Sequence, residues 1–413
     1  MSIKLLLVNR YYAHMGGTER YFSEVAPLLE AQGVRIAVVY GDTPTGALSF
    51  KNREEVAAPE LLLGRQSGAE RIRRLHEILQ RLDPDVIQLH HVEDPILVAG
   101  CAAARPTIQF IHVHRPFLCP GDGRFAKATQ EVCRRPVGPF CLIAPYLQAC
   151  GSRQPGRLLG NYRLTQEYLE ATRGLARLVV ASQYMRGLLL SHGIPGDRVL
   201  VNPHPFIARE GLEQSRRERP RSIVFAGRLV EHKGAAYLIR AVARIHERCT
   251  LTLVGDGPAR EELERLSNDL LAGRHEVTFT GWLSHEATLQ LVREHQVVAV
   301  PSVWPEPFGR VGLEATGLGK PVVAFDVGGI REWLVDGHNG FLIRPGDVGV
   351  FAAALERLLD DEALRLAMGR NGVELALTRF NPKRHVDAMM RLYEQVLGAA
   401  SGRGVARAGT GAC

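Results

Sequence analysis

The sequence predicts an α/β protein with two doubly wound parallel sheets that face each other across a cleft. Short apolar runs rich in β-branched residues alternate with stretches of helical period, and the same alternation restarts after a break. This alternation is typical of parallel βαβ units. The break, residues 206–220, is charged and aperiodic, so we interpret it as a linker between two domains.

The first domain is predicted to span residues 1–205. Helical periodicity over residues 21–32 and 71–82 separates strand-like runs, and Gly33 ends the first of these helices. The strand-like runs are residues 3–9, 34–40, 86–91, 107–114, 175–183 and 198–204.

The second domain is predicted to span residues 221–380. Helical stretches again lie between its strand-like runs. These runs are residues 222–228, 250–257, 277–281, 297–302, 322–326 and 341–347. A last helix is predicted over residues 381–398, and the small residues of 399–413 predict a disordered tail.

Composition argues against a membrane-spanning or secreted protein. No apolar run approaches the roughly 20 residues that cross a bilayer. Residues 1–9 lack the length and the cleavage site of a signal peptide, so we interpret them as a first strand. We therefore expect a cytoplasmic protein.

The formal charge of +7 is concentrated in one segment. Residues 115–163 hold eight arginines or lysines and two acids, a local excess of +6. Such a segment can face phosphate, anionic lipid or nucleic acid, or have no partner at all. Without a series of base-stacking aromatics, nucleic acid is not expected. We expect an anionic or lipid-linked acceptor and peripheral contact with the inner face of a membrane.

The same segment holds four of the seven cysteines: Cys119, Cys133, Cys141 and Cys150. An odd total in a chain expected to be cytoplasmic does not predict disulfides. The gaps between the four are longer than the CxxC pairs of common zinc sites. Free thiols are favoured and no metal is expected, with a zinc site on these cysteines as the alternative.

Loops that follow strands are the candidate site, because open α/β sheets bind ligands beyond the carboxyl ends of their strands. In the second domain Arg228 follows a strand, and Lys233 comes five residues later, just before a helix. Two cations there suit the two phosphates of a nucleoside diphosphate. In isolation, a pair of surface charges is the simpler interpretation.

Two glutamates frame the start of a later helix, Glu306 in the loop before it and Glu314 one turn inside it. The first residues at this start are Gly309, Arg310, Val311 and Gly312. Their backbone N–H groups are expected to bind a diphosphate. Glu314 is then placed to accept hydrogen bonds from ribose hydroxyls, and Glu306 to reach the group that the phosphates carry. A solvated helix start is the alternative.

The loop after the first strand holds Gly16 and Gly17 ahead of a helix. Paired glycines let the backbone approach a phosphate. The loop lacks the GxGxxG spacing, and apart from Asp42 no acid ends the second strand. The sequence therefore gives little support to a dinucleotide site.

Together these motifs resemble the retaining glycosyltransferases of family 4, whose GT-B fold consists of two Rossmann-like domains. The similarity covers nearly the whole chain. It is carried by LLLVNRYYAHMGGTERY, FAGRLVEHKG, LTLVGDGP, VTFTGWLS and EPFGRVGLEATGLGKPVVAFDVGGIREWLVDGHNGFLI. Residues 115–165 differ from the sequence pattern of a generic family member. This difference affects the expected acceptor more than the expected reaction.

The resemblance implies transfer of a hexose-type sugar from a nucleotide-diphosphate sugar to an acceptor hydroxyl, with retention and without a divalent metal or other cofactor. Polysaccharide, lipid-linked glycan or glycolipid synthesis is implied as the setting. Arg228 and Lys233 would neutralise the leaving diphosphate, and Gly17 would lie against the phosphates. Glu314 would hold the ribose, and Glu306 would orient the donor sugar in a front-face mechanism and not act as a nucleophile.

The family also places a histidine after a strand of the first domain, beside the donor sugar. His112 and His114 both qualify, and alternation along a strand would point them the same way. His114 is favoured as the one nearer the strand's end. The resemblance further implies that the last helix, residues 381–398, packs back on the first domain.

Three alternatives share this fold. A nucleotide-binding scaffold without transferase activity is disfavoured because both glutamates, Arg228 and Lys233 are all present. An NAD(P)-dependent oxidoreductase is disfavoured by the missing GxGxxG fingerprint. A phosphorylase or synthase acting on a soluble glucan would differ only in its acceptor.

Overall fold

The protein is described from a computed structural model covering residues 2–11, 17–42, 53–62, 67–121, 123–208 and 218–408. Contacts divide these residues into two compact units, each with its own parallel sheet, which confirms an α/β fold with two doubly wound sheets. The first unit takes residues within 1–129, 133–204 and 382–413, and the second takes residues within 130–132 and 205–381. Of the predicted linker, residues 209–217 lie outside the described residues.

The first half of the chain builds a seven-stranded sheet in the order β3-β2-β1-β4-β5-β8-β9. The strands in chain order are β1 (Lys4–Tyr11), β2 (Arg35–Asp42), β3 (Glu54–Ala57), β4 (Val86–Leu89), β5 (Thr107–Ile111), β6 (Phe125–Ala126), β7 (Glu131–Val132), β8 (Arg177–Val180) and β9 (Val199–Val201). The short strands β6 and β7 are not part of the seven-stranded sheet. The helices are α1 (Gly17–Glu30), α2 (Pro59–Leu62), α3 (Gly68–Leu82), α4 (Pro95–Ala104), α5 (Ala144–Gln148), α6 (Pro155–Thr172) and α7 (Gln183–Ser191).

The central strands of this sheet are buried on both faces, which explains their continuous apolar sequence. In β1, Leu6 lies opposite Ala37 of β2 on one side and Ile87 of β4 on the other. The chain therefore winds outward in one direction from β1 and in the other from β4. The carboxyl ends of β1 and β4 lie at this change of direction, where ligands of doubly wound sheets bind.

The second unit has a six-stranded parallel sheet in the order β12-β11-β10-β13-β14-β15. Its strands are β10 (Ser222–Ala226), β11 (Thr250–Val254), β12 (Glu276–Gly281), β13 (Val297–Val300), β14 (Val322–Phe325) and β15 (Gly340–Ile343). Its helices are α8 (Ala235–Val242), α9 (Arg260–Leu271), α10 (His285–Glu294), α11 (Arg310–Gly317), α12 (Val348–Asp360) and α13 (Glu362–Arg379). Here the winding direction changes between β10 and β13.

The last helix, α14 (Pro382–Ala408), belongs to the first unit although it follows the second in sequence. It lies against α1, where the Tyr21 hydroxyl and Nε2 of His385 are 2.8 Å apart. The helix continues over residues 399–408, which the sequence assigned to a disordered tail. Alanine and arginine in this stretch favour helix. Residues 409–413 lie outside the described residues.

Among the described residues, no helix is both long enough and apolar enough to cross a membrane. The long helices α6 and α14 carry charged residues along their length.

Candidate functional site

In the second unit, the loops that follow β10 and β13 meet where the winding direction of the sheet changes, which is its switch point. A short 3-10 turn, Glu231–Lys233, follows β10 and leads into α8 through Gly234. Gly234 has a φ of 76°, and a Cβ at this position would overlap the carbonyl of Pro301, just after β13. Glycine is required here because it allows both the left-handed backbone and the close approach of the two loops.

This approach brings Lys233 into contact with Glu306. Nζ of Lys233 lies 2.6 Å from Oε1 of Glu306, and the Ser302 hydroxyl donates to the same oxygen at 2.8 Å. Glu306 is only 6% exposed, so its charge is compensated by one cation and one hydroxyl rather than by water. The ammonium also lies 5.1 Å from the ring centroid of Trp304, within range of a cation–π interaction.

The backbone of Glu306 is held by the loop after β14. The Gly329 N–H donates to the Glu306 carbonyl at 2.7 Å. Gly328, with a φ of 57°, packs so closely that a Cβ there would overlap the Glu306 backbone. The Glu306 carboxylate is therefore attached to a backbone that is held in place, as is required of a group that orients a ligand.

Helix α11 begins directly after the loop that follows β13, with Gly309 as its N-cap in the left-handed region at φ 82°. The first N–H groups of a helix have no carbonyl of their own helix to bind, and the dipole makes this end attractive to anions. That Gly309, Arg310 and Val311 bind a diphosphate stays a prediction.

For Gly312 the expectation was wrong. Its N–H donates to the Gly309 carbonyl at 3.1 Å, because the helix starts with a tight turn. A Cβ at Gly312 would overlap the ring of Trp333, whose Nε1–H donates to the Phe308 carbonyl at 2.6 Å. Gly312 therefore lets a buried tryptophan brace the helix start.

Glu314 lies one turn inside α11 and is partly buried. Its Oε1 is 3.6 Å from NH2 of Arg310, and its Oε2 is 4.0 Å from Nδ1 of His285 at the start of α10. The carboxylate is thus bordered by two basic groups, one from each helix. That Glu314 accepts hydrogen bonds from ribose hydroxyls stays a prediction.

Arg228 is exposed at the carboxyl end of β10. The neighbouring loop, after β11, contains Gly255 and Gly257. A Cβ on Gly255 would overlap the carbonyl of Gly227, and a Cβ on Gly257 would overlap the carbonyl of Leu229. These two glycines therefore allow close packing between loops, which is sufficient to explain them without a phosphate.

In the first unit, Gly16 lies outside the described residues, and Gly17 begins α1 in an exposed position. At the switch point of the first sheet, the amide of Asn9 links the loop after β4 to helix α1. Its Oδ1 accepts from the His91 N–H at 3.0 Å, and its Nδ2 lies 3.5 Å from the buried Glu19.

The two candidate histidines have different environments. Strand β5 ends at Ile111, so alternation along a strand does not apply to His112 and His114. His112 is partly exposed, whereas His114 is 0% exposed and packs edge-on against Tyr184. Burial, aided by the charge of Arg124, lowers the pKa of His114 to about 3. The preference for His114 is therefore not supported, and His112 is the better candidate.

His112 belongs to a cluster of aromatic and imidazole rings around Tyr21, which we call the ring cluster. Its members besides Tyr21 and His112 are His90, Phe110, His204 and His385. Phe110 lies parallel to His112, with ring centroids 4.4 Å apart. Sequence reasoning missed this cluster, because its members come from five separate segments with no shared local pattern.

The four clustered cysteines are reduced and partly buried. Among the described residues, no three potential metal ligands are arranged to hold a metal ion, so the zinc alternative gains no support. Burial raises the pKa of the Cys150 thiol to about 11 and also raises that of Cys119. Both thiols are therefore protonated at neutral pH.

Two family models match the chain, one for each unit. The model described as Glycosyltransferase Family 4 matches residues 15–206, and the model described as Glycosyl transferases group 1 matches residues 210–375. Together they account for most of the sequence.

Curated relatives match about half of the chain. It is 34% identical to the alpha-D-kanosaminyltransferase of Streptomyces kanamyceticus over 191 residues, which are 46% of this chain and 48% of the relative. It is 37% identical to the lipopolysaccharide core biosynthesis glycosyltransferase LpsD of Rhizobium meliloti over 195 residues, which are 47% and 55% of the two chains. The chain thus spans about half the length of these relatives.

Solved structures match over nearly the full length. The structure of Anabaena Alr3699/HepE in complex with UDP matches with a TM-score of 0.68 at 21% identity, covering 96% of this chain and 100% of that one. Sucrose-phosphate synthase from Thermosynechococcus elongatus matches with a TM-score of 0.70 at 19% identity, covering 96% and 100%. With the two parallel sheets, these similarities identify the fold as GT-B.

Proposed function

The chain belongs to family 4 of the glycosyltransferases, and from that premise we propose that it is a retaining enzyme that transfers a hexose-type sugar. The donor is a nucleotide-diphosphate sugar and the acceptor carries a hydroxyl group. The observation that carries the proposal is the Lys233–Glu306 pair beside the N-terminus of α11. It combines a cation, a fixed carboxylate and an anion-binding helix end at one switch point.

The diphosphate is the leaving group, so negative charge builds on it as the bond to the sugar breaks. Lys233 is paired with Glu306 through a flexible side chain, and Arg228 lies exposed at the end of the neighbouring strand. We assign both to this developing charge, together with the helix end at Val311. Fixed positive charge in a partly buried site stabilises a transition state of this kind without a divalent metal.

Glu306 has the fixed position that an orienting group needs. Both of its side-chain hydrogen bonds are made by Oε1, with Lys233 and Ser302. We assign Oε2 to hydroxyl groups of the donor sugar. The charge of Glu306 also lies where a cationic, oxocarbenium-like sugar would be stabilised. In the front-face mechanism the departing phosphate oxygen takes the proton of the acceptor, and Glu306 forms no covalent bond.

Glu314 is assigned to the ribose hydroxyls, and His112 of the first unit to the transferred sugar. The solved structure of HepE holds UDP, which makes UDP the first nucleotide to test. LpsD acts in lipopolysaccharide core biosynthesis by its name. We accordingly propose polysaccharide, lipid-linked glycan or glycolipid synthesis as the setting, with the protein at the cytoplasmic face of a membrane.

The proposal for the acceptor is based on one surface of the first unit, which we call the basic turn. Three large apolar side chains are exposed within five residues of one another, Ile143 (55%), Tyr146 (49%) and Leu147 (63%). The exposed cations of the same segment, residues 115–163, are Arg115, Lys127, Arg134, Arg135, Arg153, Arg157 and Arg163.

The apolar and basic parts of this surface are joined directly. The Tyr146 hydroxyl donates to the Arg153 carbonyl at 2.7 Å, and Nε of Arg153 donates to the Pro145 carbonyl at 3.2 Å. Apolar side chains that enter the interface and cations that attract anionic headgroups are the two contributions that bind proteins to membrane surfaces. We propose that the basic turn binds anionic lipid and so brings the enzyme to a lipid-linked acceptor.

The reaction is tested by release of nucleoside diphosphate from UDP-, GDP- and ADP-linked hexoses, with and without lipid extract as acceptor. We expect release with one donor base and formation of a new glycoside, whose anomeric configuration by NMR matches that of the donor. Release of no diphosphate from any donor, with or without acceptor, would favour the nucleotide-binding scaffold. An inverted anomer would refute the retaining mechanism.

A further inference from the structure

Four buried or partly buried side chains form a continuous hydrogen-bonded relay in the first unit. The Tyr393 hydroxyl of α14 donates to Oε1 of Gln88 at 2.6 Å. Nε2 of Gln88 lies 2.9 Å from Nε2 of His90, and Nδ1 of His90 lies 2.9 Å from Nε2 of His112. The relay therefore connects the last helix to the histidine at the end of β5.

The orientation of the Gln88 amide sets the direction of every later bond. The Gln88 amide nitrogen can only donate, so Nε2 of His90 must accept. A neutral His90 then carries its proton on Nδ1 and donates to Nε2 of His112. His112 must accept there, so a neutral His112 carries its own proton on Nδ1.

His90 remains neutral under physiological conditions. It is 1% exposed, and burial lowers its pKa to about 3. The rings of His90 and His112 lie within 16° of parallel, with centroids 5.3 Å apart, so their short N···N contact links two nearly coplanar rings. The relay thus transmits orientation and not charge.

We propose that Tyr393, Gln88 and His90 are positioning residues that hold His112 as the Nδ1–H tautomer. A histidine held in this way carries its N–H at Nδ1 and cannot act as a base through that atom. This inference rests on the proposed function for the role of His112 but not for its tautomer. It also assigns a role to the packing of α14 in the first unit, because α14 supplies Tyr393.

A second histidine of the ring cluster provides an internal reference. Nδ1 of His385 lies 2.8 Å from the Pro203 carbonyl, which can only accept. His385 must therefore carry a proton on Nδ1, and its Nε2 accepts from the Tyr21 hydroxyl at 2.8 Å. This tautomer is independent of the relay.

The test is two-bond ¹H–¹⁵N NMR of the full chain labelled at histidine, which distinguishes the two neutral tautomers without substrate. We expect His112 and His385 both to be protonated at Nδ1. In Tyr393→Phe, which keeps the ring and removes only the hydroxyl, His112 should become a mixture of tautomers while His385 is unchanged. Tyr162→Phe, which removes a hydroxyl from α6 of the same unit, should change neither.

Turnover provides a second readout. Misplacing a group in an active site costs up to about 100-fold in rate, so Tyr393→Phe should lower kcat about 10- to 100-fold with little change in donor KM. Protonation of His112 at Nε2 in the wild type, or an unchanged tautomer in Tyr393→Phe, would overturn the relay. If the tautomers are as expected but no sugar is transferred, the relay stands and the proposed function fails.

Discussion

Lys233 and Glu306 are separated by more than seventy residues in sequence, yet their side chains share a 2.6 Å contact at the switch point of the second sheet. Glu306 is buried and Lys233 is partly exposed, so the lysine can turn toward an incoming anion while the carboxylate stays in place. This relationship explains why a cation after one strand and an acid after another act as one site.

Replacing Lys233 by methionine removes the cation and leaves Glu306 buried with only the Ser302 hydroxyl. We expect kcat/KM for sugar transfer to fall by about 10² to 10³, the usual effect of losing one group that stabilises transition-state charge. Glu306→Gln keeps an acceptor for Ser302 and should lower kcat while changing diphosphate affinity little. Steady-state kinetics with Lys383→Met, an exposed lysine of α14, is the control. Wild-type kinetics in Lys233→Met would refute the assignment.

Gly312→Ala should destabilise the second unit, because the new methyl group would overlap the ring of Trp333. Overpacking of this kind typically costs about 1–3 kcal/mol. Gly187 in α7 is the matched control, since a Cβ there meets nothing within 4 Å and alanine should stabilise the helix. Thermal unfolding of both variants checks the prediction. Equal unfolding temperatures for the two variants would show that the helix start is not braced by Trp333.

Stability should fall as the pH is lowered from 7 to 5. Burial lowers the pKa of both His90 and His114 to about 3, from an ordinary value of 6.5. Between pH 3 and pH 6.5 the unfolded chain binds protons at these two histidines that the folded chain does not. Their contribution to the free energy of unfolding is therefore fully present above pH 6.5 and is lost as the pH falls below it. Each histidine should contribute about 2 kcal/mol to the loss by pH 5.

Urea unfolding at pH 7 and pH 5 measures this loss, and His114→Gln should reduce it by one histidine's share. Gln keeps a polar side chain but does not titrate in this range. His90→Gln is the second variant, for use if the first does not fold. A pH dependence that neither substitution changes would contradict the buried, neutral state of these side chains.

The basic turn should bind vesicles that contain anionic lipid. Ile143→Ser with Leu147→Ser removes apolar contact, and Arg134→Glu with Arg157→Glu reverses charge worth about 1 kcal/mol per cation. We expect each pair to lower partitioning in vesicle co-sedimentation about tenfold or more, and 0.5 M salt to weaken wild-type binding. Leu270→Ser, an exposed leucine of the second unit, is the control. Unchanged binding in both pairs would refute the surface.

Much of the fold could be predicted because each element has a local signal. The apolar runs of β1, β4, β5 and β8 became buried parallel strands. The loops that end β10 and β13 were selected as a candidate site, and the structure brings Lys233 and Glu306 of these loops into contact.

The features that escaped prediction depend on contacts between distant segments. Nothing near Gly312 in sequence indicates that Trp333 lies against it, and the hydrogen bond to Gly309 depends on the tight start of α11. The choice between His112 and His114 depended on where β5 ends, a boundary that sequence patterns place only within a few residues. Gln88 and Tyr393 meet only because α14 returns to the first unit.

We propose that the second unit binds a nucleoside diphosphate at the Lys233–Glu306 site. The most direct measurement is thermal unfolding with UDP, GDP, ADP and NAD, each alone, on wild type, Arg228→Ala and Arg240→Ala, the last an exposed cation of α8. A ligand at 100 times its Kd stabilises the native state by about 2.7 kcal/mol. We predict a clear rise in Tm with one nucleoside diphosphate, lost in Arg228→Ala and kept in Arg240→Ala. No rise with any diphosphate, or a rise with NAD alone, would contradict the account.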